Sequence, residues 1–322
     1  MINFFRNNTP FATIIICVLG VLLWFSGFLN STSIIVKHEM PLFETIAFSY
    51  NKASIAVSAF SLLLILGSSL LLNRLCNDYE LLGRPNYVVG LIYLLICCSL
   101  PGLLKPNAFH FSNIIIVLGL QRLLSGYRQT SALSSVFDSS LLFGIATLFD
   151  FSSVTLVLFV WISIAIIRPF NWQEWVIPVI GFIIPYLFLG VYFFWIDRID
   201  YLIYDKMLYN IIYEPFVLNF TSKEMPVIYT LLAILIFSLF NYFTGGVTPK
   251  LKSQKVLQVL LVLLFVNLIG VLFSREIGYE MLAQCAIPLS VFIGRYLYVI
   301  RRPFFSELFF FLLLAVIIVC KF

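Results

Sequence analysis

The sequence predicts an all-α fold, a polytopic transmembrane helical bundle, and three observations predict it. Of the 322 residues, 61% are hydrophobic and only 11% are charged, less than half the roughly 25% charged of an ordinary globular domain. The apolar residues fall in long runs divided by polar junctions, and about 20 of them in a helix cross a hydrocarbon core of about 30 Å. The basic residues collect in alternate junctions, as the positive-inside bias demands of a chain that crosses repeatedly. One integral membrane domain over 1–322 follows, because no junction is long enough to hold a soluble domain.

The first run, 11–29, follows a short polar segment carrying Arg6 and resembles the n-region and h-region of a signal peptide. It lacks a small-x-small site before Asn30, so it is read as a retained first span. Ten further runs follow at 53–72, 87–104, 113–124, 136–149, 153–167, 176–195, 227–243, 257–273, 281–300 and 304–320. About 11 spans are therefore expected, within a range of 10–12. The pair 136–149 and 153–167 turns on Asp150. Fourteen residues reach only about 21 Å as a helix, so this hairpin needs neighbours around it.

Placing the N-terminus in the cytoplasm puts twelve of the twenty Lys and Arg residues inside, including Arg168, Lys250, Lys252, Lys255, Arg295, Arg301 and Arg302. Ten of the fifteen acids then lie outside. The expected topology is N-in, and the compartment is the bacterial inner membrane.

Three outer segments collect nine of those ten acids, Asp150 being the tenth. The first, about 30–52, carries Glu39 and Glu44. The second, about 196–226, mixes Asp197, Asp200, Asp205, Glu214 and Glu224 with tyrosines, and its Ile196, Ile199, Leu202 and Ile203 recur at helical spacing. It reads as an interfacial helix lying on the outer leaflet. The third runs from Arg275 to Glu280 at the mouth of an apolar helix, where charge is costly and calls for a reason.

Phosphate-cradling loops of the GxxxxGK[ST] and GxGxxG types are absent, as are GxSxG and HExxH. The six cysteines form no CxxC pair, and His38 and His110 lack ligand spacing. No nucleotide, haem or zinc cofactor is expected, nor nucleic acid as a partner. Asp150 ahead of Phe151-Ser152-Ser153 reads as a helix cap. Asn241 and Asn267 read as amides that bond between helices. Arg168 with Trp172 to Trp175 reads as an interfacial anchor.

The stretch FGIATLFDFSSVTLVLFVWISIAIIRPFNWQEWVIPVIGFIIPYLFLGVYF, 143–193, runs as a small-residue helix, a polar turn, an apolar helix, an Arg loop and a helix carrying Gly181 and Pro185. This order resembles the central region of the GT-C class of membrane glycosyltransferases, which use sugars linked to polyprenyl phosphate or diphosphate. The charged segment before Pro288 and Gly294 resembles the late helix of those enzymes. Through Ser134-Ser135-Val136-Phe137-Asp138 and Arg168-Pro169-Phe170-Asn171-Trp172-Gln173-Glu174-Trp175, the chain is also similar to an uncharacterised family of bacterial multi-pass inner-membrane proteins, a likeness that implies no reaction.

The GT-C resemblance implies a first-loop acid acting as general base or metal ligand, because an attacking hydroxyl or amide must lose a proton. Where that class carries an Asp or paired acids, this chain has Glu39 and Glu44. It further implies Arg275 as partner of a lipid phosphate, with Glu276, Glu280 and Asp197 as rim residues or ligands of a divalent metal. The implied partners are polyprenyl phosphate and other envelope membrane proteins. Each residue has an alternative role, Arg275 as a snorkelling end-cap and the acids as solvated loop charges. Two other functions stand beside the enzyme: a non-catalytic scaffold subunit, and a transporter, which would place ionisable groups deep within spans.

Overall fold

The computed structural model describes residues 2–6, 10–29, 40–52, 54–127, 129, 131–208, 217–218, 221–244, 250–270, 276–277, 279–300 and 303–321. Within them the chain is an all-α bundle, and seven helices are long and apolar enough to cross a membrane. These are α2 (Pro10–Leu29), α4 (Ser54–Asp78), α6 (Ala108–Ser125), α9 (Trp172–Trp195), α11 (Met225–Phe243), α12 (Leu251–Gly270) and α13 (Tyr279–Val299). Four apolar helices are shorter: α5 (Val88–Cys97), α7 (Leu133–Thr147), α8 (Leu156–Ile167), which a 3-10 turn Phe151–Thr155 precedes, and α14 (Pro303–Lys321), apolar over 306–320. Three small helices complete the set, α1 (Ile2–Phe5), α3 (Pro41–Lys52) and the π-type α10 (Tyr201–Leu208). Two-residue strands β1 (Val217–Leu218) and β2 (Glu276–Ile277) pair in parallel, Val217 opposite Glu276.

The helices sort by burial. The central ones are α13 and α6, whose spans are 83% and 67% buried, whereas those of α2, α9 and α11 are 28%, 28% and 22% buried and turn apolar side chains outward. Every residue of α5 is buried, packed between α4 and α13. The run predicted at 87–104 is broken after Cys97, because Pro101 cannot continue a helix and pushes the residue before it into extended backbone. Leu100 has φ −115 and ψ 144. The run at 113–124 is instead longer than predicted, since α6 starts at Ala108. His110 therefore lies within a helix. It is buried in α6 with its Nε2 3.0 Å from the Leu103 carbonyl oxygen and its ring edge-on to Trp24. Cys76 lies buried in the last turn of α4.

Small residues bring α7 and α9 into close contact: Gly181 of α9 faces Ser140 and the Phe137 carbonyl, and Gly144 of α7 faces the Phe182 carbonyl. Close backbone approach through small residues is how helices associate where lipid offers no hydrophobic drive. The first helix of the short hairpin, α7, is thereby enclosed by α6, α8 and α9, while α8 turns Leu158 and Ile162 outward.

Two ends of the bundle differ in charge. At the basic end, Arg6 donates to the Leu297 carbonyl at 2.9 Å, Arg295 to the Leu81 carbonyl at 3.0 Å, and Lys255 to the Ile167 carbonyl at 3.3 Å. Lys250 pairs with Glu80 at 2.6 Å. Arg168 donates to the carbonyls of Gly126 and Gln129 at 2.8 and 2.9 Å and pairs with the buried Glu174 at 3.0 Å, while Glu174 accepts from the Ala132 amide. The segment read as a surface anchor is thus also a clamp joining the α6–α7 and α8–α9 connections, with Phe170 and Trp172 left exposed beside it.

Candidate functional site

The opposite end carries α3, α10, the Asp150 turn, β1, β2 and the first turns of α13, and two polar clusters form there.

The first cluster joins α3 to α10. Proline at the start of α3 has no amide hydrogen to lose in a first helical turn, and Glu44 sits in that turn, where the partial positive charge of a helix N-terminus suits an acid. Glu44 Oε2 lies 2.9 Å from Lys206 Nζ. The Tyr201 hydroxyl lies within donating distance of both Glu44 oxygens, at 3.0 and 2.9 Å. Lys206 Nζ also lies 5.2 Å from the Tyr201 ring centroid, within cation–π range. Burial pushes the Tyr201 phenol above its ordinary range, and the Glu44 carboxylate beside it adds to that, so the hydroxyl keeps its proton and stays a donor. Exposure within the ion pair is uneven. Lys206 is 3% exposed and Glu44 41%.

In α10, Leu202 and Lys206 point inward, one turn apart, while Ile196, Ile199 and Ile203 are exposed. Of the segment 196–226 read as an interfacial helix, residues 201–208 are helical; the inward face there holds a lysine, and Ile196, Ile199 and Ile203 lie at the rim.

The second cluster surrounds Asp150. Its carboxylate accepts from the Ser152 amide at 3.2 Å, the Ser152 hydroxyl at 2.7 Å and the Ser153 hydroxyl at 3.1 Å. Gln284, one turn into α13, donates its side-chain amide to Asp150 Oδ2 at 2.7 Å and also contacts the Ser152 hydroxyl. Asn267 of α12 donates to the Gln284 carbonyl at 2.7 Å. Asp150 is the cap that the sequence predicted, and it also fastens the hairpin turn to α13. The turn lies outside both helices, and burial raises its carboxyl above the ordinary value, opposed by the donors that favour the charged form. The Asn267 amide bonds between helices as expected.

A stack of rings links the clusters: Phe43 of α3 lies 6.1 Å from Phe111 of α6, which stacks on Phe149 beside Asp150 at 5.8 Å.

Among the described residues predicted to bind or react, Glu44 is brought into a defined polar cluster. Glu39 and Arg275 lie outside the described residues. Glu276 lies in β2, in register with Val217, and Glu280 is the second residue of α13, both described here by their backbone. The segment from 275 to 280 therefore touches the segment from 196 to 226 through β1 and β2. Asp197 is exposed just after α9, at φ 53, a left-handed backbone position. Among the described residues, no three His, Cys, Asp or Glu side chains gather as a metal site. Sequence reasoning missed Lys206, Tyr201 and Gln284. The available signal was the spacing of Leu202 and Lys206, which puts a cation on the face of an apolar residue one turn away.

No family model, curated protein or solved structure matches the chain.

Proposed function

We propose that this is a bacterial inner-membrane protein of GT-C-like layout that engages a sugar linked to polyprenyl phosphate at the outer leaflet and serves envelope glycan assembly. It crosses the bilayer eleven times from a cytoplasmic N-terminus, with the basic end inside. The apolar helices, long and short together, support the count, and the gathering of Arg6, Arg168, Lys250, Lys255 and Arg295 at one end supports the orientation.

One observation carries the substrate class: Glu44 of the first outer segment is held against Lys206 and Tyr201 of the second. Transfer from a lipid phosphate needs a carboxylate that accepts a proton from the attacking group and a cation that stabilises the departing phosphate. Both stand side by side where a lipid head group would lie. In this reading Glu44, with Glu39, supplies the base, Arg275 shares the phosphate, and Glu276, Glu280 and Asp197 form the rim or hold a divalent metal. Lipid extracted from the purified protein is expected to contain a polyprenyl-phosphate-linked sugar, and the Glu44→Gln variant is expected to impair envelope glycan assembly while inserting normally. Bulk phospholipid alone, together with unaltered glycans in the variant, would sink the reading.

A second reading is favoured by the same ion pair. A Glu44 already occupied by Lys206 is not a free base, which suits a non-catalytic scaffold subunit of an envelope complex. That reading predicts a fixed protein partner on purification and no bound lipid-linked sugar.

A further inference from the structure

The uneven exposure of the ion pair points to a more specific role for its buried member. We propose that Lys206 is the phosphate-binding cation of this end, and that the phosphate of a polyprenyl-phosphate head group takes the place of Glu44 on the Lys206 ammonium. This rests on the function proposed above and deepens it by naming the residue that receives the phosphate.

Lys206 is 3% exposed, yet its Nζ is 2.9 Å from a Glu44 side chain that is 41% exposed. The cation is fixed in the protein and the anion faces the surface, so an incoming anion reaches Glu44 first. An ammonium buried to this degree needs an anionic partner, since stripping one partner from a covered pair leaves an uncompensated charge. A ligand that brings its own negative charge to the same place can therefore exchange with Glu44 without reducing the anionic compensation of the covered ammonium. A phosphate does so with three strong acceptor oxygens, and an ammonium binds it as a point charge without demanding a planar fork. The Tyr201 hydroxyl, now a donor to both Glu44 oxygens at 3.0 and 2.9 Å, is positioned to donate to the replacing anion in the same way. The isoprenoid half has a counterpart too: Ile196, Ile199 and Ile203 are exposed on the same short segment, beside the outer end of α9 with its exposed Phe194 and Trp195. One segment thus offers a covered cation and, next to it, open apolar surface. Exchange would also release Glu44 from its ion pair at the moment a phosphate arrives, which removes the objection that an occupied carboxylate cannot serve as a base.

The test uses the full chain in zwitterionic nanodiscs, with polyprenyl monophosphate, the matching polyprenol and inorganic phosphate as probes, and native mass spectrometry as the readout. The wild type is expected to retain polyprenyl monophosphate over the polyprenol, and Lys206→Met to weaken that binding about tenfold. Glu44→Gln should have the opposite sign and bind about tenfold more tightly, because a competitor for the ammonium is gone. A purely structural ion pair predicts no such gain, so the Glu44→Gln result decides even where Lys206→Met folds poorly. If the wild type binds polyprenyl monophosphate and neither variant shifts it, Lys206 is not the site, although the broader reading stands. If the wild type discriminates neither lipid, the broader reading falls as well. Retention of inorganic phosphate at equal strength overturns the lipid assignment.

Discussion

At Gly27 of α2 the backbone passes so near Leu104 that an added Cβ would lie 2.3 Å from the Leu104 carbonyl oxygen. That oxygen belongs to backbone and cannot swing aside. Gly27→Ala is therefore expected to destabilise the fold by about 1–3 kcal/mol, the usual range for overpacking. Gly190 of α9 has nothing within 4 Å of the same position, so Gly190→Ala should gain up to about 1 kcal/mol from helix propensity. Thermal unfolding of both variants in one detergent checks the pair, and equal shifts would contradict the geometry. Residues such as these are invisible to sequence reasoning, because a glycine's neighbour is set by packing. Glu44 was legible as an acid in a polar segment after the first apolar run, but its partner Tyr201 is 157 positions away and emerges only once α3 and α10 meet.

Among the elements, the hairpin turn at Asp150 is the most consequential joint, since it fastens the 3-10 turn to α13 through Gln284. Asp150→Ala would remove a cap and leave buried donors on Ser152, Ser153 and Gln284 unmet, at a cost of about 1–3 kcal/mol. Its pH dependence has a definite sign. Burial raises the carboxyl above its ordinary value of 3.8, so the folded chain holds the proton more tightly than the unfolded chain. The stability this contributes is complete below that ordinary value and is lost as pH rises through the higher folded value. Asp150→Asn should lack that decline, so a wild-type melting profile that matches it across the acid range would exclude the assignment. The cap itself could be read from Asp150-Phe151-Ser152-Ser153, where an acid precedes two hydroxyls. The bond to Gln284 could not, being a contact between residues 134 positions apart. The apolar periods marked the helices well and their ends poorly: Pro101 cut one run short at Cys97, and α6 gained the turn that carries His110.

For the whole molecule, the proposed eleven crossings with the basic end inside would place the C-terminus outside. A C-terminal alkaline phosphatase fusion is expected to be active, and a C-terminal green fluorescent protein dark. The reverse pair would overturn the topology. Charge bias alone suggested this orientation, because basic side chains favour one face whatever the packing. The lengths of the helices add something that charge does not. Both α7, with 15 residues, and α9, with 24, begin at the basic end, where the Ala132 amide meets Glu174. At 1.5 Å per residue, α7 stops about 14 Å short of the level that α9 reaches. The small helix α3 occupies that shortfall, with Phe43 set against Phe111 and Phe149 below it. The enclosed α7 presents little of its own length outward, so the fit to a bilayer falls mainly to the least buried helices, α2, α9 and α11. Hydrophobic mismatch in a thicker or thinner membrane would thus be taken up first as tilt of those outer helices, and the short α7 would feel it through the close glycine contacts that tie it to α9.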